Sequence, residues 1–581
     1  MNDDEKQKQI FIGGVQKFTK DRDFAKFIEK TLPNYEELVE GISKKKNATG
    51  LIVRFTSMDS KLIFMEQMEG KMYKNRPVRM KAQDPALPLK FFSSMSRLLK
   101  SRENELRKPT QEEIKTEMDK PLKDKLIPYH NVAYEDQLVK KEEFLKDIFR
   151  KFVKRIETDV NHHREPSLPI WMTKYWNNEL TSLNYDQIKS EESKGETKTV
   201  EIDKTLPCEF EDIIPCDKEY MKGYRNKVEF TVARNFEDNK ICIGFNKVAN
   251  SSGMTFVDYP TDLPHISDQS VAFAEKLQGL LREYEEKYGI KEFDTLKHEG
   301  AWRTMIYKES KRTGESLVSL AISRNSIPQE QLDEFKKDYA ALWDDTVKSV
   351  SIIETDLLWG GYEHFDKITY LTKQKTYTEH IKEFKFLVSP QAFFQVNSHV
   401  FEKMLDRVRD WANLDKNTIL LDVCWGTGVI GIALSGYVKK VIGIEMVQSA
   451  IDDCHANCDL NGLSYEKDGI CEYHCGKAED ILPEISKEIN GCKVVAIVDP
   501  PRSGLHPVVL KTLRTTVGLE KIVYVSWNAS SLSDNLYHLC MPENKRRRAP
   551  EFKPSKFWGA DLFPYSPHVE CIMLLERFYE G

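Results

Sequence analysis

Four short stretches in the C-terminal third carry residue types that can do chemistry together. "CWGTG" at 424–428 sets glycines at 426 and 428 directly after the apolar run "TILLDV". Glycines at the carboxyl end of a strand let the backbone approach a ligand closely. Glu445 follows Gly428 by 17 residues, at the end of the next apolar run, "KVIGIEM". A carboxylate there accepts hydrogen bonds from both hydroxyls of a ribose. "GKAED" at 476–480 is then placed to flank an adenine, and a nicotinamide dinucleotide is read as the less favoured ligand. "DPPRSGL" at 499–505 puts an acid and two prolines at another strand end, which makes a stiff turn beside the ligand.

These stretches need a scaffold, and residues 380–581 supply its pattern. "TILLDV", "KVIGIEM", "EYHC", "VVAIVD", "IVYVS" and "HVECIMLLERF" are short apolar runs separated by helical spacing. That rhythm predicts a parallel α/β sheet covered on both faces. Residues 128–379 are read as one helix, with amphipathic spacing over 134–157, followed by a β-rich central domain. In that domain "YRNKVEFTVAR" and the basic hairpin tip within 302–312 form a proposed RNA-facing surface through Arg225 and Lys227. Residues 85–127, rich in Lys, Glu and Pro, are read as a charged linker. Residues 8–84 follow a β-α-β-β-α-β order that resembles an RNA recognition motif, an α+β fold. Phe11 stands at the aromatic place of its first strand, while Gly50 and Ile52 stand where further stacking aromatics belong.

The whole-chain composition limits the options. The 581 residues are 40% hydrophobic with a net charge of −6. The chain therefore has enough apolar content for real cores, and any nucleic-acid surface is a local patch within an acidic average. No run of about 18 apolar residues predicts a membrane span. The N-terminus carries no signal-peptide pattern. The eleven cysteines show no zinc or iron–sulfur spacing, so no metal is expected, and buried thiols in the cytosol and/or nucleus are.

The series of strand ends resembles class I methyltransferases, the Rossmann-like enzymes that use S-adenosyl-L-methionine. Amino-group methyltransferases usually place an aromatic after the two prolines. Arg502 stands there, which disfavours an exocyclic amine as target. "SPQAFFQVNS" (389–398), "LLDVCWGTG", "DPPRSGLH", "VYVSWN" and "FPYSPHVECIMLLER", in that order, are similar to the RNA uridine 5-methyltransferase family. The resemblance implies that Gln395 contacts the methionine end of the cofactor. It implies that Glu445 holds the ribose, that Asp499 lies at donor and base, and that Glu570 is the general base. The implied substrate is a uridine C5 in the T-loop of tRNA, and the implied state is a monomer.

The chain departs from the family at the nucleophile. The fifth residue of "VYVSWNAS" (523–530) is Trp527 where the family has cysteine, and Trp425 stands where related animal sequences have a second cysteine. An indole cannot add to C6 of uracil. Cys571 follows Glu570, but neighbours on a strand point to opposite faces, and Cys424 reads as a packing residue in the cofactor turn. Three readings follow: a working methyltransferase altered at two codons, a tRNA-binding protein without catalysis, and a methyltransferase with no covalent step. The third is disfavoured because Glu570 and its surroundings match covalent chemistry. Both departures exchange the same pair of residues. UGA lies between the cysteine codons and the tryptophan codon, and the first reading takes both positions as UGA, one or both decoded as cysteine.

Overall fold

The computed structural model describes residues 119–162, 164–165, 167–177, 202–249, 255–294, 297, 299–355, 367–424, 426–465, 468–544 and 547–579. It also describes residues 9–13, 26–29, 31–32, 38–43, 50–56, 72–73, 76–77, 79–82 and the single positions 60, 64, 68 and 116. Trp425 and most of the linker lie outside these residues. The chain divides into two compact units, Met1–Lys108 and Pro109–Gly581.

In the first unit, four strands form one antiparallel sheet in the order Val39–Ser43, Gly50–Phe55, Gln9–Gly13, Arg79–Ala82. Its core gathers Ile28, Leu32, Val53, Phe55, Phe64 and Met68. Phe11 pairs in register with Ile52 on one side and Lys81 on the other. The Phe11 side chain lies outside the described ones, so its stacking role is carried by the sequence alone.

The second unit contains two large sheets. The first has seven strands, in the order Thr255–Asp258, Ile241–Ala249, Lys227–Arg234, Trp302–Glu309, Ser316–Ser323, Val347–Thr355, Lys367–Tyr370. It packs on the helix Asp268–Tyr288 through Phe273, Leu277 and Leu281.

The other sheet carries the acidic strand ends and the glycine turn noted in the sequence. Its strands are β1 (Glu209–Ile214), β2 (Thr418–Val423), β3 (Lys440–Glu445), β4 (Cys471–Cys475), β5 (Lys493–Val498), β6 (Leu519–Ser526), β7 (Phe552–Ala560) and β8 (Glu570–Arg577). They lie in the order β4-β3-β2-β5-β6-β8-β7-β1. Strands β4 to β6 are parallel and β8 runs against β6. Every residue of β2 is buried, as a central parallel strand covered on both faces requires.

The expected boundaries at 127/128 and 379/380 do not hold. Leu122 and Ile127 belong to the core of the seven-stranded sheet, so the linker ends before them. Strand β1 extends the catalytic sheet alongside β7. Helix α1 (Tyr134–Asn161) buries Leu145, Phe149, Phe152, Val153 and Ile156 in the same core as β5 and β6. A stripe spaced three and four residues apart marks a helix face that must be covered. It does not say which sheet covers it.

Candidate active site

The acids of the sequence motifs meet at one end of this sheet. Asp422 is the fifth residue of β2, Glu445 ends β3, Asp499 follows β5 and Glu570 begins the reversed strand β8. Ser526 pairs with Cys571, which brings residue 527 and Glu570 to neighbouring strand ends. The structure thus brings Trp527, Glu570, Asp499, Glu445 and the glycine turn to one edge.

Backbone geometry explains the glycines. Gly426 has φ +57° and Gly428 φ +82°, in the left-handed region that disfavours side chains. Among the described residues, and apart from its chain neighbours, a Cβ on Gly426 would meet nothing within 4 Å, which leaves room for a ligand. Glu445 accepts from the Gly426 N–H at 3.0 Å, and from the Met446 and Val447 N–H groups at 2.8 and 2.9 Å. Gly426, Gly428 and Gly431 also have the six-position spacing of a dinucleotide turn. Glycine spacing therefore does not separate the two ligand classes. The reversed strand β8 does.

Gln395 is half-buried in a loop fixed from two sides. The Thr427 hydroxyl donates to the Phe393 carbonyl at 3.3 Å. Asn226, itself buried, donates through Nδ2 to the Gln395 carbonyl at 2.8 Å and the Ser398 hydroxyl at 3.1 Å, and its N–H donates to the Val396 carbonyl.

Electrostatics sets this edge apart. Burial pushes the Asp499 carboxyl up to about 7. Burial, then Asp499, holds Glu570 well above the usual carboxylate range. Asp422 is raised by burial, then by Asp499 and Glu445. One of its oxygens, Oδ2, has no hydrogen-bond partner among the described residues. Sequence reasoning missed Asp422, although an acid two residues before the glycine turn was its signal.

Trp527 is 37% exposed. Arg502 lies over its ring at 4.4 Å, and His568 approaches edge-on at 6.3 Å. Burial and the charges of Lys141, Arg225 and Arg502 keep His568 below its usual range. The Cys424 and Cys571 thiols are both pushed up by burial first and by neighbouring carboxylates next. Neither is a reactive thiolate. Cys424 holds φ +68° in the turn, and Cys571 is fully buried in the core.

The basic residues of the hairpin tip are bonded within the molecule. Lys308 is buried and donates to the Ser389 and Ala392 carbonyls at 2.8 and 2.7 Å. Lys311 donates to the Lys222 carbonyl, and Arg312 grips Glu402 with two bonds. Lys308 and Arg312 fasten the segment 389–402 that carries Gln395. Arg234 is likewise held by Glu285 and Glu292. Lys227 pairs with Glu229 at 2.8 Å, and Arg225 is half-buried with Nε donating to the Lys227 carbonyl at 3.4 Å.

The sheet order, the reversed strand β8 and an open glycine turn facing an acidic strand end define a Rossmann-like, class I methyltransferase fold. Residues 366–578 match the family model tRNA (Uracil-5-)-methyltransferase, and the chain resembles the RNA uridine 5-methyltransferase family, homologue A in particular. The human tRNA (uracil-5-)-methyltransferase homolog A is 30% identical over 376 residues, covering 64% of this chain and 58% of that protein. The chain thus spans less than two thirds of the human relative's length. An Arabidopsis thaliana protein, zinc finger CCCH domain-containing protein 24, is 26% identical over 594 residues, covering 79% of this chain and 68% of its own. The Pyrococcus abyssi tRNA (uracil-54, C5)-methyltransferase, solved with S-adenosyl-L-homocysteine, is 23% identical with a TM-score of 0.46, covering 62% and 78% of the two chains. Among the described residues no helix is long and apolar enough to cross a membrane, and no His/Cys/Asp/Glu group is arranged to hold a metal.

Proposed function

We propose that the protein methylates C5 of a T-loop uridine in tRNA with S-adenosylmethionine as donor. The observation that carries this reading is the pairing of Ser526 with Cys571, which sets residue 527 and Glu570 side by side, next to Asp499. The open turn at Gly426 and the unpartnered Oδ2 of buried Asp422 fit a cationic nucleoside cofactor, held by Gln395, Glu445 and the turn. When bound, that cofactor supplies an electrophilic methyl group. C5 of uracil is a weak nucleophile. A thiolate at position 527 adding to C6 would make C5 electron-rich enough to take the methyl group, after which Glu570 takes the C5 proton and the thiolate leaves. The target base must leave its stack to reach this edge. Arg225 and Arg502 bring positive charge to the mouth beside His568, suited to RNA phosphates. The N-terminal sheet is proposed as an RNA recognition motif that positions the tRNA, and the protein is proposed to act as a monomer in cytosol and/or nucleus.

With Trp527 in place the covalent step has no nucleophile. A second reading is therefore a tRNA-binding protein without catalysis. It is favoured by the Arg502–Trp527 stack, which occupies the position a thiolate needs. The test is transfer of labelled methyl from S-adenosylmethionine to a T-loop RNA by the full chain. The methyltransferase reading expects transfer by Trp527→Cys and none when Glu570→Gln is added. Tight RNA binding without transfer by Trp527→Cys supports the second reading.

A further inference from the structure

The four acids at this edge share one property: the described structure pairs none of them with a cationic side chain. Glu445 is satisfied by three backbone N–H groups. Asp422, 1% exposed, accepts from the Gly431 N–H and leaves Oδ2 unpartnered. Glu570, 3% exposed, faces Asp499. The nearby cations are engaged elsewhere. Arg502 lies over Trp527, Lys141 pairs with Asp561 at 2.5 Å, and Arg225 donates to the Lys227 carbonyl. The other titratable groups facing the cluster are Cys424 in the turn, Tyr524 on β6, Glu479 on the helix Ala478–Glu488, and Cys571 and His568 flanking Glu570. None of these supplies a compensating positive charge, because His568 is held toward its neutral form.

Clustered carboxylates in a dry edge cannot all ionise, so some hold protons when the site carries no cation. A cation entering the edge reverses that balance and drives protons out.

Resting on the cofactor reading above, we propose that Asp422, Asp499 and Glu570 act together as a sensor of ligand charge, which binds the sulfonium donor in exchange for a proton and releases the neutral thioether product. S-adenosylmethionine and S-adenosylhomocysteine share their adenosine, ammonium and carboxylate groups. They differ in the methyl group and its positive charge. A difference in their proton linkage at pH 6, where both ammonium groups keep their protons, therefore reports on the sulfonium. Asp499, raised to about 7 by burial, places the exchange near neutral pH.

The experiment is calorimetric titration of the full chain with each ligand at pH 6, 7 and 8, in two buffers of different ionisation heat. The expected result is that affinity for S-adenosylmethionine relative to S-adenosylhomocysteine rises with pH, by at most about tenfold per pH unit for one linked proton. S-adenosylmethionine should also release more protons. Asp422→Asn and Asp499→Asn should each flatten the rise. If either variant fails to fold, Glu570→Gln serves the same purpose. Parallel pH dependence and equal proton release for the two ligands overturn the inference while leaving the cofactor reading intact. Binding of neither ligand overturns both.

Discussion

Residue 527 decides whether the edge is catalytic. Losing a nucleophile costs about 10⁴- to 10⁶-fold in rate, and Cys424 and Cys571, held as thiols by burial and neighbouring carboxylates, cannot replace it. Yet Asp499, Glu570 and Glu445 are all present around the missing group, which is not what drift after loss of function produces. The codon reading makes a direct prediction: mass spectrometry of the native protein finds cysteine in the peptide containing residue 527. A tryptophan mass there leaves the non-catalytic reading ahead. A second prediction concerns Asp499. Its carboxyl titrates near 7 in the fold and near 4 when unfolded, so the folded state binds the extra proton between those values. Stability associated with this group is present below about pH 4 and is lost as pH rises through about 7. Asp499→Asn should therefore melt about 2 °C higher than the parent at pH 8 and no higher at pH 4. Equal melting shifts at both pH values would count against a raised carboxyl.

Elements from outside the catalytic sheet hold its loops in place, and this is where sequence reading reached its limit. The parallel strands, the glycine turn and the acidic strand ends were legible because apolar runs and turn chemistry are local signals. The hairpin at 302–323 was also legible as a hairpin. Its basic residues were not legible as internal ties, because Lys308, Lys311 and Arg312 find their carbonyl and carboxylate partners across long sequence separations. Asn226 was visible only as one polar residue beside a strand. Its two side-chain bonds to the loop 395–398 depend on tertiary docking. Asn226→Ala leaves the buried Gln395 carbonyl without that donor, so it should cost about 1–3 kcal/mol of stability and weaken S-adenosylmethionine binding. Arg225→Ala should instead lower the salt slope of tRNA binding by about one unit and leave cofactor affinity unchanged. If Asn226→Ala binds cofactor as tightly as the parent, the loop does not need this tie.

At the scale of the whole molecule, the unit with the class I methyltransferase fold extends well upstream of the segment matched by the family model. Strand β1 covers the edge of β7, and α1 lays Leu145, Phe149, Phe152, Val153 and Ile156 against the core. A fully buried ion pair fixes the loop ahead of Glu570: Lys141 Nζ meets Asp561 at 2.5 Å and the Phe563 carbonyl at 3.0 Å, while Tyr134 donates to Asp561 at 2.9 Å. Gln137 on the same helix accepts from the Tyr565 N–H. Burying five large apolar side chains contributes about 1.5–3 kcal/mol each, a sum comparable to the roughly 5–15 kcal/mol net stability of a typical protein. Removing Lys141 would also strand the Asp561 charge in the interior, a loss of about 3–5 kcal/mol. Residues 380–581 made alone should therefore fail to fold, whereas residues 109–581 should melt cooperatively and bind S-adenosylmethionine. Lys141→Met in the longer chain should lower its melting temperature more than any exposed lysine does, Lys154→Met for example. Circular dichroism melts of the four proteins check this directly. A cooperative melt by residues 380–581 alone would mean that the upstream helix and strand decorate the catalytic sheet without completing it.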